Sequence, residues 1–345
     1  MTPTLQSPLG GRLPRRGVAV LLGLLAATAL VAGLGLALGT YGLTPAEVWA
    51  TLTGAPPEPM AATVVLDFRL PRVIVALLCG AMLALSGAIL QALTRNGLAD
   101  PSLLGVSQGA ALAVVALIVL VPEAPHALRT PLAFLGAILA TLLVQAVATG
   151  PQGAGPLRLI LAGVGLSAFL AALIGAMLTH GNLQEAQSAL GWLAGSVNAA
   201  TWAEVRGLAI AALLILPAAV ALARPLAALR FGPEVATGLG LPVRTARGGA
   251  LMLAVLAAAA AVAAVGPLGF VGLIAPHMAA RLARTGTGLH LANSAIMGAL
   301  VVALADLLGR TLLAPVQIPA GLVTALIGVP VFALLLLRGG APRES

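Results

Sequence analysis

Ten nearly uncharged apolar runs follow one another along the chain, at roughly 18–38, 72–93, 103–121, 131–149, 158–179, 203–223, 248–265, 267–281, 290–308 and 319–337. About 20 apolar residues cross a bilayer as an α-helix, which keeps every backbone hydrogen bond inside the segment. The runs therefore predict an all-α, polytopic membrane bundle of ten spans, with the third and eighth short. Only 8% of the residues are charged and 60% are hydrophobic, against about 25% charged in a soluble domain. No hydrophilic stretch is long enough for a soluble domain, so 1–345 reads as a single membrane domain. The first run follows Arg12, Arg15 and Arg16 and has a signal-like outline. Gly17–Leu38 is nevertheless long enough to span, and it is read as a retained first helix.

The net charge of +8 rests on 18 basic residues, all of them arginine. They sit almost singly between apolar runs and form no soluble basic face, which excludes a nucleic-acid-binding protein. With the N-terminus inside, Arg12, Arg15, Arg16, Arg95, Arg158, Arg224, Arg230, Arg244, Arg247, Arg281, Arg284, Arg338 and Arg343 fall on the inner side. Arg69, Arg72, Arg129, Arg206 and Arg310 fall outside. That balance places both termini in the cytoplasm. The outer minority is the more informative set, because topology does not ask for it.

The lone Cys79 forms no internal disulfide and no cysteine cluster, and His126, His180, His277 and His290 are too scattered to hold a metal. No cofactor or metal is expected. The chain has no HExxH motif and no nucleophile–base pair, so it is not read as an enzyme. The middle of the membrane is almost free of ionisable groups; Asp306 lies near a span end, four residues before Arg310. An ion-coupled carrier keeps such groups within its spans. There is no GxxxxGK[ST] phosphate loop either, so energy for active transport has to come from another polypeptide.

Two outer segments read as partly ordered. TPAEVWATL (44–52) opens like a helix, and NLQEAQSALGWLAGSVNAATWAEV (182–205) carries Trp192 and Trp202 as interfacial anchors. On the inner side, RFGPEVATGLGL (230–241) combines a Gly232-Pro233-Glu234 turn, a short helix with Val235, Ala236 and Leu239 on one side, and a Gly238/Gly240 stop. Such a helix either meets a partner's groove or packs on its own bundle. The fifth span carries Ala162, Gly163, Gly165, Ser167 and Ala168, small residues that line a passage or permit close helix packing. In GPLGFVGLIAPH (266–277) the glycines and Pro267 predict a short, broken helix.

Five ordered blocks carry a resemblance: FRLPRVIVALLCGAMLALSGAILQALTRNGLADPSLLGVSQGAAL (68–112), LGWLAGSV (190–197), the LRFGPEVATGLGL segment, GPLGFVGLIAPHMAARL (266–282) and ADLLGRTLLAPVQIPAGLVTALIGVPVF (305–332). From about residue 66 to 338 the chain resembles the FecCD family, the permeases of iron–siderophore, haem and cobalamin ABC importers. It departs from the family's usual pattern at Gly97, where a proline is common, and at Gln317, where many members have Glu.

The resemblance implies a permease working as a homodimer, or with a related permease, beside two ATP-binding cassette ATPase subunits and an extracytoplasmic substrate-binding protein. It implies inverted repeats pairing spans 2–5 with spans 7–10. Gly232, Glu234, Ala236, Leu239 and Gly240 match the coupling helix that docks on the ATPase. Arg69, Arg72 and Arg310 match the arginines that meet acidic residues of the binding protein. Ala162, Gly163, Gly165, Ser167 and Ala168 match the passage. The substrate implied first is a ferric siderophore, with haem and cobalamin as alternatives, taken up across the cytoplasmic membrane.

Overall fold

The computed structural model describes residues 4–6, 12–148 and 156–339. Arg343 and both chain ends lie outside the described residues. In chain order the helices are α1 (Arg15–Ala37), α2 (Pro45–Leu52), α3 (Pro59–Ala62), α4 (Leu70–Thr94), α5 (Val106–Leu120), α6 (Arg129–Ala148) and α7 (Pro156–His180). They continue with α8 (Leu183–Leu193), α9 (Trp202–Leu229), α10 (Pro233–Gly238), α11 (Val243–Val265), α12 (Val271–Leu282), α13 (Thr287–Thr311) and α14 (Ala320–Gly339). The other regular pieces among the described residues are π-helical and 3-10 turns and one antiparallel pair, Thr4–Gln6 with Arg12–Pro14.

Ten helices coincide with the ten predicted runs. Seven are long and apolar enough to cross a membrane: α1, α4 with its lead-in, α6, α7, α9, α11 and α13. α5 and α14 are shorter apolar helices, and α12 has 12 residues. The predicted outer helix 44–52 is α2, opened by a capping box in which Thr44 Oγ1 accepts from Glu47 N and Glu47 Oε2 accepts from Thr44 N at 2.7 Å. Asn182 with Glu185 and Thr201 with Glu204 open α8 and α9 in the same way.

α4 is the buried centre of the bundle. It packs against α13, α11, α12 and α9. α11 packs on it and carries Ala257, Ala258, Ala259 and Ala261, all fully buried, and such small side chains let helix axes come close where no solvent drives association. The neighbour pattern repeats between the halves. α5 packs on α6 as α12 packs on α13, α6 on α7 as α13 on α14, and α4 on α13 as α11 on α6. The second helix of each set, α5 and α12, is the short one, and each follows a non-helical break.

The break before α12 is the predicted interruption. Residues 266–270 are not helical, with Gly266 at φ 77 and Phe270 at φ 66. Backbone without helix is tolerated at this depth only when buried in protein. Here it meets two other breaks: Ser196 N donates to Val265 O at 2.8 Å, and Gly321 N donates to Gly195 O at 2.9 Å. A Cβ at Gly195 would stand 2.0 Å from Pro267 O, and one at Gly321 would stand 2.3 Å from Ala194 O. Three sequence blocks, 190–197, 266–270 and 317–321, thus come together at one point.

Candidate functional site

Beside that junction lies a buried polar cluster. The chain enters α4 through a π-helical stretch, Thr63–Arg69, whose Leu66 carbonyl accepts from Trp202 Nε1 at 3.0 Å. The wider turn sets Arg69 and Arg72 toward the ends of α1 and α13. Arg72 Nε donates to Asp306 Oδ1 at 3.0 Å and to Oδ2 at 3.1 Å, and its Nη2 donates to Oδ1 at 2.8 Å. Its Nη1 donates to Asn198 Oδ1 at 2.6 Å and to Gln317 Oε1 at 2.9 Å. Arg310 Nε stands 3.8 Å from Asp306 Oδ2, the pairing expected from the i, i+4 spacing. Two buried guanidiniums, those of Arg72 and Arg310, thus share the Asp306 carboxylate, and a third, Arg69, is buried nearby.

Arg69 and Arg310 do a further job. Arg69 Nη1 donates to Leu36 O at 2.7 Å and to Ala37 O at 2.9 Å, and its Nη2 donates to Tyr41 O. Arg310 Nη2 donates to Gly35 O. The last carbonyls of a helix have no partner within it, and a cation suits the negative end of its dipole. These two arginines therefore cap α1. Arg69, Arg72 and Arg310 were expected to face a docking protein. All three are buried, at 6%, 8% and 7% exposure, with partners inside the chain. Of the three, Arg72 alone lines the open cavity next to the cluster. That cavity, of about 710 Å³, also takes in Arg129, Trp192, Asn198, Glu204 and Gln317. Trp192 therefore lines a hollow, whereas Trp202 is 40% exposed, as an interfacial anchor would be.

Residue types alone did not reveal Asn198 as a partner of Arg72. Gln317 departs from the family pattern, and its amide oxygen accepts from the arginine. At the other departure, Gly97, the turn is held by Asn96, whose Oδ1 accepts from Leu98 N at 2.9 Å.

At the opposite end, α10 begins with Pro233 after Gly232, which adopts φ 107. Its close is the expected one: Gly240 takes φ 78, and Leu241 N donates to Ala236 O at 3.0 Å. The expected shared face of Val235, Ala236 and Leu239 divides in two. Ala236 is fully buried against Leu229 and Ala246, with Leu93 of α4 alongside. Val235 and Leu239 point outward with Phe231, at 49%, 69% and 74% exposure. Glu234 and Gly240 are also exposed, while Gly232 is buried beside Arg95. Ala236 is thus the anchor of this helix and not part of its outer face. Phe231 belongs to that face and escaped the sequence reading because it precedes the helix.

The small residues of α7 also divide. A Cβ at Gly163 would stand 1.7 Å from Leu103 O, so this glycine exists for packing against the 101–104 turn. A Cβ at Gly165 would meet nothing within 4 Å, and Ala168 is exposed. Ala162 and Ser167 are half-buried, and Ser167 Oγ has no hydrogen-bond partner. Leu161, Phe169 and Leu173 flank this face and are exposed. Among the described residues no group of three His, Cys, Asp or Glu side chains is placed to hold a metal.

A many-span bundle with two similarly broken halves and a short exposed surface helix fits a transport permease. The chain belongs to the FecCD transport family, which matches residues 24–338. It is 42% identical to the achromobactin transport system permease protein CbrC of Dickeya dadantii over 316 residues, 91% of this chain and 89% of that one. It is 38% identical to the ferric enterobactin transport system permease protein FepG of Escherichia coli, covering 91% and 94% of the two chains. Among solved structures, a metal-chelate type ABC transporter in an inward-facing conformation matches with TM-score 0.82 at 28% identity, covering 93% of this chain and 99% of that one.

Proposed function

We propose that this protein is the permease of an importer for ferric siderophores, driven by ATP hydrolysis in a separate subunit. The observation that carries the reading is α10, a short helix fixed to the bundle by buried Ala236 that turns Phe231, Val235 and Leu239 outward. Exposed apolar side chains on a rigid two-turn element fit a groove on a partner, here the ATPase. Gly232 and Gly240 set its ends and Glu234 its polar rim. Relatives that transport achromobactin and ferric enterobactin support an iron chelate as cargo; haem and cobalamin are the alternatives within the same class.

In this reading 1–345 is one permease domain of a bacterial cytoplasmic membrane, with both termini and α10 on the cytoplasmic side. Two copies, or this chain and a related permease, face each other through α7. Gly165, Ala168, Ala162 and Ser167 border the passage, and Gly163 supports it from behind. A substrate-binding protein docks at the opposite end over the cavity that Arg72 lines, where the surplus of guanidinium charge favours its carboxylates. Arg69 and Arg310 contribute by holding α1 and Asp306 in place.

The test is ATPase activity of the complex reconstituted in vesicles with its binding protein, given a ferric siderophore, haem or cobalamin in turn. The reading expects stimulation by the ferric siderophore, with Leu239→Arg abolishing the stimulation at unchanged melting temperature. Stimulation by haem or cobalamin alone would reassign the cargo. Normal coupling in Leu239→Arg would remove α10 from the mechanism.

A further inference from the structure

The end of the bundle that carries α10 has a second cavity, of about 800 Å³, walled by basic residues from five parts of the chain. Arg16 comes from the first turn of α1, Arg230 from the end of α9, His277 and Arg281 from α12, Arg284 from the link that follows, and His290 from α13. In sequence these positions are scattered, and each looks like an isolated topological arginine or a stray histidine. In space they enclose one hollow. No carboxylate lines it. The two ion pairs described above lie at the other end of the molecule, at Asp306.

The bias of basic residues toward one membrane face accounts for arginines at this end. It does not account for four guanidiniums and two imidazoles gathered around one space, where like charges repel unless an anion sits among them. Two local features point the same way. Thr285 lines the cavity, and its Oγ1 is buried without a hydrogen-bond partner, which costs stability unless a ligand supplies one. α13 follows at Thr287 with Gly286 as its N-cap and no side-chain cap, which leaves its first N–H groups without an intrahelical partner.

We infer that this cavity binds a phosphate group, carried by an anionic lipid headgroup or free in solution. A phosphate offers acceptor oxygens in several directions, matching forked guanidiniums and a hydroxyl donor. Depth favours the lipid source: Arg16 is the second residue of the spanning helix α1, whose length is mostly exposed, so the cavity opens at headgroup level. The inference concerns none of the residues assigned to cargo or coupling, and it stands whichever chelate is carried.

The test uses the full-length permease in neutral detergent, with bound mass and melting temperature followed as phosphatidylglycerol, phosphatidylcholine or inorganic phosphate is added. Phosphatidylglycerol is expected to bind and stabilise where phosphatidylcholine does not. Arg281→Gln with Arg284→Gln should weaken that binding about 25-fold, at about fivefold for each basic residue removed near the surface. Arg244→Gln with Arg247→Gln removes the same charge from the same end but outside the cavity, and should stay within about twofold. Thr285→Val, which deletes only the hydroxyl, should weaken binding while melting unchanged without ligand. An equal response to inorganic phosphate supports the site and assigns free phosphate as its source. Equal losses in the two arginine pairs, or no response to either phosphate ligand, would overturn the inference. It also fails if Arg281→Gln with Arg284→Gln releases the ATPase subunit while the phosphatidylglycerol response persists.

Discussion

Asp306→Asn keeps the shape of the side chain and removes the only carboxylate that Arg72 and Arg310 share among the described residues. Three hydrogen bonds of 2.8–3.1 Å from Arg72 end on that carboxylate, and the side chains of Arg72, Asp306 and Arg310 are 10%, 5% and 6% exposed. At that burial, water and salt screen little of the charge left behind. Stripping one partner from a buried pair costs about 3–5 kcal/mol. For a domain of a few hundred residues this lowers the melting point on the order of 10 °C. Tryptophan fluorescence during heating reads it directly, since Trp192 lines the adjoining cavity. A cycle adding Arg72→Gln should give a coupling of about 2 kcal/mol, because the second change removes a charge the first had stranded. If Asp306→Asn melts within about 2 °C of the parent, or if the two costs simply add, the cluster is not held by this carboxylate.

Ala236→Arg should fail differently from Leu239→Arg. It forces a guanidinium into the contact with Leu229 and Ala246 and destabilises the chain by more than about 3 kcal/mol, read as lost yield of folded protein. On α7, Gly163→Ala should lower the melting temperature through its clash with the Leu103 carbonyl, whereas Gly165→Ala should leave it unchanged. At α2, hydrogen bonds from Thr44 hold the Glu47 carboxyl below its ordinary pKa. Its support of the helix is therefore present above about pH 5 and is lost as pH falls through the lowered value. Amide exchange over 45–52 should differ between Glu47→Gln and the parent at neutral pH and converge once the pH has fallen below the lowered value.

The spans were legible because each is a long apolar run, and a run of that length has one stable answer in a bilayer. The interruption at 266–270 was legible from Gly266 and Pro267, and the capped start of α2 from Thr44, Pro45 and Glu47. What touches across the bundle was not. Asp306 and Arg310 declare their pairing by spacing, but Arg72 reaches Asp306 from 234 residues away. Arg69 looked available for a partner because nothing in a linear pattern shows that the end of α1 lies open beside it. For α10, six residues give too little periodicity to tell inside from outside. Which side Ala236 takes is decided by Leu229, Ala246 and Leu93, none of them within the helix. The basic cavity escaped for the same reason: Arg16 and Arg284 become neighbours only when α1 folds against α13.

The junction of the three backbone breaks also constrains how the bundle moves. The loop after α8, the entry to α12 and the entry to α14 are joined by two main-chain hydrogen bonds and by carbonyls seated on glycines. Backbone pressed on backbone has no side-chain rotamer to give way, so this point behaves as a pin and not as a sliding surface. Helices meeting there have rotation about it as their low-energy freedom, and displacement of one drags the other two.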